Sequence, residues 1–228
     1  MTEVTARAST VTPIVERSMA ANRPIFLWGP PGIGKSELVA SITDNLPGNN
    51  LMIDLRLALM EPTDLRGYPF RNPENNTMEW SPPVDLPSQE LASQYDTIVL
   101  FLDELNSAPP SVQAASYQLI LNGKIGQYTM PSNVRIVAAG NRETDRGVTF
   151  RMPAPLANRF RHINMEVNFE DWQQWAVNND IHSEVVGYLS YAKQDLFDFD
   201  PKTSSQSFAT PRSWSYISEI LNVPGFAE

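Results

Sequence analysis

The apolar run Ile25-Phe26-Leu27-Trp28 breaks into Gly29-Pro30-Pro31-Gly32-Ile33-Gly34-Lys35-Ser36, and no other stretch of the chain limits its folding as strongly. Gly29, Gly32 and Gly34 open backbone angles that are closed to other residues, so consecutive N–H groups can turn inward around an anion. A strand that enters such a turn and leaves it on a helix, here Glu37-Leu38-Val39-Ala40-Ser41-Ile42, has the pattern of a phosphate-binding loop. Lys35 then supplies a point charge. The hydroxyl of Ser36 can reach a magnesium ion, and the helix N-terminus adds its dipole beside Glu37. Residues 29–37, with Pro30, Pro31 and Ile33 shaping the turn, are therefore expected to hold a nucleoside triphosphate.

Composition narrows the chemistry. The 228 residues include no cysteine, which excludes disulfides and thiolate metal sites, and only two histidines, His162 and His182, too few for a His-built zinc site. Magnesium (Mg2+) bound with the nucleotide is the expected metal. A formal net charge of −9 counts against a surface that neutralises many phosphates, so a nucleic-acid partner is disfavoured. There is no apolar stretch long enough to span a bilayer, and Met1-Thr2-Glu3-Val4 lacks the basic-then-apolar order of a signal peptide. A soluble, cytoplasmic protein is the expectation.

Apolar runs alternate with helical stretches, which predicts an α/β fold with a mostly parallel, five-stranded sheet and helices on both faces. The expected strands are Ile25–Trp28, Leu51–Asp54, Thr97–Leu102, Val134–Ala139 and His162–Val167. From about Asn168 the β-branched runs stop. Helical patterns at Phe169–Asn178, Glu184–Gln194 and Arg212–Leu221 take over, separated by the polar stretch Asp198–Ser207. Two domains are expected, a nucleotide-binding core over residues 1–167 and a small helical lid over 168–228. Trp172 and Trp175, with Phe169 on a compatible face, are expected to pack against the core and not to form a ligand platform. Asp198-Phe199-Asp200-Pro201 lacks the glycine of a calcium loop and reads as a solvated turn.

Ile98-Val99-Leu100-Phe101-Leu102 ends in Asp103-Glu104, two carboxylates at the carboxyl end of a buried strand, where parallel sheets bind ligands. Asp103 is expected to hold magnesium and Glu104 to polarise the water that attacks the γ-phosphate. Val134–Ala139 leads through Gly140 to Asn141, whose amide an adjacent strand would aim at the same water or phosphate. Arg159 ends the short helical stretch before Phe160 and suits either a solvated surface charge or a finger on a neighbouring subunit's nucleotide. Arg142, Arg146, Arg151 and Arg161 are alternatives for that finger. Thr210 and Pro211 have the residue types of an N-cap and a first helical position, which puts Arg212 in the first turn, where an anion would offset its unfavourable place in the dipole.

Taken in order, these residues resemble the AAA+ ATPases, and more narrowly their MoxR branch. The resemblance runs from about Val11 to Leu221. It implies ATP as the nucleotide, Asn141 as sensor 1, Asn158-Arg159-Phe160 as the arginine finger and Pro211-Arg212 as sensor 2. The MoxR likeness rests on residues 54–69 and Met78-Glu79-Trp80-Ser81-Pro82-Pro83, which look like the stretch where an inserted hairpin faces a central pore. Glu143–Phe150 resembles a second insertion after sensor 1. Unlike many relatives, the sequence is short after sensor 2 and carries no second domain. The resemblance implies an ATP hydrolase, a homo-oligomeric, hexameric ring, and remodelling of a protein client with a von Willebrand factor A-domain partner as adaptor. Competing readings are a nucleotide-gated scaffold with slow turnover and a nucleic-acid-associated motor subunit. A small-molecule kinase fits poorly with Glu104 and the finger.

Overall fold

The structure is a computed structural model that describes residues 4–145, 149–200 and 207–225. In chain order its elements are β1 (Val4–Arg7), α1 (Ala8–Ala20), β2 (Ile25–Trp28), α2 (Lys35–Asn45), β3 (Asn50–Arg56), α3 (Pro62–Arg66), β4 (Tyr68–Arg71) and β5 (Met78–Ser81). There follow α4 (Gln89–Ala92), β6 (Thr97–Asp103), α5 (Pro110–Asn122), β7 (Lys124–Ile125), β8 (Tyr128–Thr129), β9 (Val134–Gly140) and α6 (Ala154–Ala157). The last are β10 (Arg161–Glu166), α7 (Phe169–Asn178), α8 (Ser183–Tyr191) and α9 (Pro211–Leu221).

Six strands form one parallel sheet in the order β1-β10-β2-β9-β6-β3. Each of the five strands read from apolar runs is present, to within one or two residues at its ends. The sixth, β1, pairs Val4 with Ile163 along the edge of β10, so the expected five-stranded sheet is one strand too narrow. Val4-Thr5-Ala6-Arg7 is too short and too polar to announce itself by periodicity.

The strand faces explain why the runs are apolar throughout. Along β6, Ile98, Leu100 and Leu102 pack on one side of the sheet with α5 residues Val112 and Leu119. Val99 and Phe101 pack on the other with Val11 and Val15 of α1 and Val39 and Ile42 of α2. Strand periodicity sends neighbours to opposite faces, and helices cover both, so every position from Ile98 to Leu102 is buried. A third cluster, Phe169, Trp172, Ala176, Val185, Leu189 and Leu196, is built from α7, α8 and the following turn, with Trp175 and Trp214 at its edge. The tryptophans of α7 thus pack as expected. Two short hairpins, β4–β5 and β7–β8, stand outside the main sheet. No helix among the described residues is long and apolar enough to cross a membrane.

Candidate nucleotide site

The loop leaves the carboxyl end of β2, between β10 and β9 in the sheet. Gly32 and Gly34 take φ of +77° and +88°, the left-handed region that glycine reaches without a Cβ penalty, and Gly34 serves as the N-cap position of α2. Gly32 meets a second constraint. A Cβ there would lie 2.8 Å from Oγ1 of Thr210, so the first residue of the α9 cap presses directly on the loop. The contact is completed by the N–H of Arg212, which donates to the carbonyl of Gly32 at 3.2 Å. Thr210 caps α9 as the sequence predicts, accepting from the N–H of Ser213, with Pro211 at the first helical position.

Lys35 Nζ donates to the carbonyls of Gly29 (2.7 Å) and Pro30 (3.0 Å) and to Oδ1 of Asn141 (3.3 Å). Burial pulls its ammonium down to about 8; the charges of Asp103, Asp145 and Glu104 oppose that shift and Arg212 adds to it. Asp103, Glu104, Asp145 and Arg212 thus all act on the charge of Lys35. Two cations beside a glycine loop at a helix N-terminus suit a polyphosphate, while the oxygen donors Ser36 and Asp103 are of the type a hard cation such as Mg2+ takes. Ser36 Oγ donates to Glu37 at 3.0 Å, and Glu37 itself is exposed.

At the end of β6 the carboxylate of Asp103 accepts the N–H of Glu104 at 2.9 Å. Glu104 has φ of +55°, which costs a non-glycine residue on the order of 1 kcal/mol or more and persists only where surrounding contacts hold it. Its carbonyl accepts from the N–H groups of Ser107 (2.8 Å) and Ala108 (3.1 Å). These bonds hold the left-handed turn at Glu104.

Beside the loop lies a cleft of about 380 Å³, lined by Pro30, Arg142, Met165, Phe169, Leu196 and Phe197 among others, between the sheet and the C-terminal helices. Arg142 at its rim pairs with Asp145 at 3.2 Å, and the same carboxylate accepts the Arg142 N–H at 2.9 Å. Asp145 is only 7% exposed.

Arg159 stands at the opposite end of the sheet. It lies two residues before Arg161, which pairs with Ile25 at the start of β2, whereas the loop leaves the other end of that strand. Arg159, Arg161 and Arg151 are all exposed. Arg146 and part of the second insertion, residues 146–148, lie outside the described residues, as do residues 201–206 of the polar stretch. Glu143–Asp145 forms a single 3-10 turn.

Sequence reading missed three features. Asp145 was one acid among many; nothing in its neighbours foretold burial. Asn106 is 2% exposed, and its Nδ2 donates to the carbonyl of Asn141 at 2.7 Å. His162 accepts from Trp28 Nε1 on Nδ1 at 2.8 Å and donates from Nε2 to the carbonyl of Ala157 at 2.7 Å, which fixes a neutral tautomer and ties the strand before the loop to α6. No local signal marks that link.

Comparison with known proteins places the fold and its site in context. The chain is 26% identical over 193 residues to midasin of Giardia intestinalis, a match that covers 80% of this chain and 4% of that protein. Among solved structures, NtrX of Brucella abortus aligns over 96% of this chain and 50% of its own length, with a TM-score of 0.56 and 14% identity. A mutant RuvB of Thermotoga maritima aligns over 93% of this chain and 60% of its own, with a TM-score of 0.51 and 18% identity. A Cytophaga hutchinsonii protein assigned as an ATPase gives 0.51, 16%, 96% and 59% for TM-score, identity and the two coverages. The chain thus spans no more than three fifths of these relatives, and at such identities the structural likeness concerns the fold. Residues 24–160, which run from the start of β2 to the end of the Arg159 turn, match the model of the AAA domain, dynein-related subfamily, and the chain belongs to that family.

Proposed function

We propose that the chain is an ATP hydrolase of the MoxR-like kind that works in a homo-oligomeric ring, coupling nucleotide turnover to the remodelling of a protein client. The observation that carries the reading is a glycine loop whose Lys35 bonds Asn141 and whose Gly32 carbonyl accepts from Arg212, with the charges of Asp103 and Glu104 acting on Lys35. In this reading Gly29–Ser36 cradle the phosphates and the adjacent cleft takes the base against Phe169, Leu196 and Phe197. Magnesium, held through Ser36 and Asp103, supplies neutralisation of phosphate charge when bound. Lys35, released from the carbonyls of Gly29 and Pro30, turns to the β- and γ-phosphates. Glu104 accepts a proton from the attacking water, Asn141 orients that water, and Arg159 of an adjacent subunit stabilises charge in the transition state. Residues 1–167 act as the core and 168–228 as the lid. Arg212 reports the phosphates to the lid through the contact of α9 on Gly32. The direct test is ATP binding and turnover by the purified chain, both expected to vanish in Lys35→Ala; turnover that survives it would end the reading.

The pore-facing role falls to the β4–β5 hairpin. It pairs Tyr68 with Ser81 outside the main sheet and exposes Tyr68, Phe70 and Met78, apolar side chains available to an extended client. A von Willebrand factor A-domain adaptor is the partner class this kinship favours for client delivery. Trp80 is half-buried, with the Arg66 guanidinium 5.6 Å above its ring, a contact worth about 0.5–1 kcal/mol. Trp80→Ala is therefore expected to shift the melting temperature by no more than about 3 °C while reducing client-stimulated turnover severalfold. A loss of stability much larger than this would make Trp80 a core residue.

A further inference from the structure

We propose that Asn106 is a positioning residue for hydrolysis, holding Asn141 at a fixed place relative to Glu104. The inference deepens the function proposed above and rests on its reading of Asn141 as a water-orienting group. Asn106 follows Glu104 by two residues and lies against the exit of β9. The N–H of Leu105 donates to the carbonyl of Ala139 at 3.1 Å, and Nδ2 of Asn106 donates to the carbonyl of Asn141 at 2.7 Å. These two bonds bracket Gly140. The carbonyl of Asn106 then accepts the N–H of Phe150 at 2.7 Å, so the segment that follows Asn141 is held from the same residue. Two attachments thus join the turn carrying Glu104 to the strand end carrying Asn141, and a third joins it to Phe150.

The cost of the arrangement is visible. Oδ1 of Asn106 is buried and has no hydrogen-bond partner among the described residues, so the residue carries the penalty of an unmade bond. The oxygen occupies the space where a Cβ at Gly140 would sit; such an atom would also lie 2.9 Å from Cγ of Asn106 and from Cζ of Phe26. An apolar side chain of similar shape would avoid the unmade bond, but it would leave the carbonyl of Asn141 free to drift. What the amide adds is a donor at that carbonyl. Because the Asn141 side chain already accepts from Lys35 Nζ, fixing its backbone fixes the distance between the loop, the amide and Glu104.

Asn106→Ala and Asn106→Asp, made in the full chain, test this with a fluorescent ATP analogue for affinity and steady-state turnover for rate. Asn106→Ala is expected to lower kcat about tenfold or more with the dissociation constant changed less than about threefold, because the donor acts on geometry and touches no phosphate. Asn106→Asp keeps the shape and can donate only while protonated. Because position 106 is only 2% exposed, burial would raise the new carboxyl above the ordinary carboxylate range, so its kcat, divided by that of the wild type at the same pH, should fall as pH rises through that titration, whereas the ratio for Asn106→Ala stays flat. Equal, pH-independent ratios for the two variants, or affinity and melting temperature falling in step with kcat, would overturn the proposal and leave Asn106 as packing. Asn141→Ala is run beside them. If it turns over at the wild-type rate, the reading of Asn141 fails; if it is slow while both Asn106 variants are normal, the inference about Asn106 fails alone.

Discussion

Glu104→Gln is expected to bind ATP as tightly as the wild type and to lose turnover by about a hundredfold or more, the range associated with removing a positioned proton acceptor. The substitution preserves the length and shape of the side chain. Its backbone, at φ of +55°, is held by the N–H groups of Ser107 and Ala108 and by the Asp103 carboxylate, none of which the change touches. The phosphate cradle is a separate set of atoms on β2 and α2, so affinity should move by less than about twofold. Single-turnover hydrolysis beside equilibrium binding of a fluorescent ATP analogue separates the two quantities. Turnover at the wild-type rate would remove Glu104 from the chemistry, and a parallel loss of binding would place it in the cradle. The same variant, locked with ATP, is the form in which a client or adaptor is best retained for identification.

The main sheet was legible because its strands are buried on both faces. Val99 and Phe101 point one way and Leu100 and Leu102 the other, and each meets a helix, so the run stays apolar and announces itself. The logic lapses at β1, whose four residues Val4-Thr5-Ala6-Arg7 left no trace in the pattern, whereas β3 at the other edge still announced itself through Leu51-Met52-Ile53. Site residues divide along a similar line. Gly32 and Lys35 were readable because a phosphate-binding loop fixes residue types at short spacings within one segment, and Asp103 because it ends a continuous apolar run. The bond from Asn106 to Asn141 joins residues 35 positions apart, and the contact of Thr210 on Gly32 spans most of the chain. Such pairings depend on tertiary placement, and a single sequence carries no spacing rule for them. Asp145 sits only three residues from its partner Arg142, yet its burial is equally a product of tertiary packing. The left-handed Glu104 is a further case: the residue type was expected at that position, the strained backbone was not.

Subunits carrying Arg159→Ala are expected to bind ATP normally and to hydrolyse it roughly a thousandfold more slowly, the scale of an arginine finger. The motive is position. Arg159 sits beyond α6 at the amino-terminal end of β10, while the phosphate loop leaves the carboxyl end of the neighbouring β2, so the two lie at opposite strand ends of one sheet. An exposed guanidinium there is well placed to serve a neighbour and poorly placed to serve its own nucleotide. Lys35→Ala subunits, which lack a working loop and keep the arginine, should likewise be inactive alone. Mixed in equal amounts and assembled at random, the two variants would join an intact loop to an intact Arg159 at about a quarter of head-to-tail interfaces, and activity should return toward that fraction. The readout is turnover against mixing ratio, with a maximum near equality that neither pure variant approaches. Mixed rings that form without regaining activity at any ratio would transfer the role to Arg161 or Arg151, each then substituted in the same design. An Arg159→Ala ring that is active by itself would show that the site is completed without it.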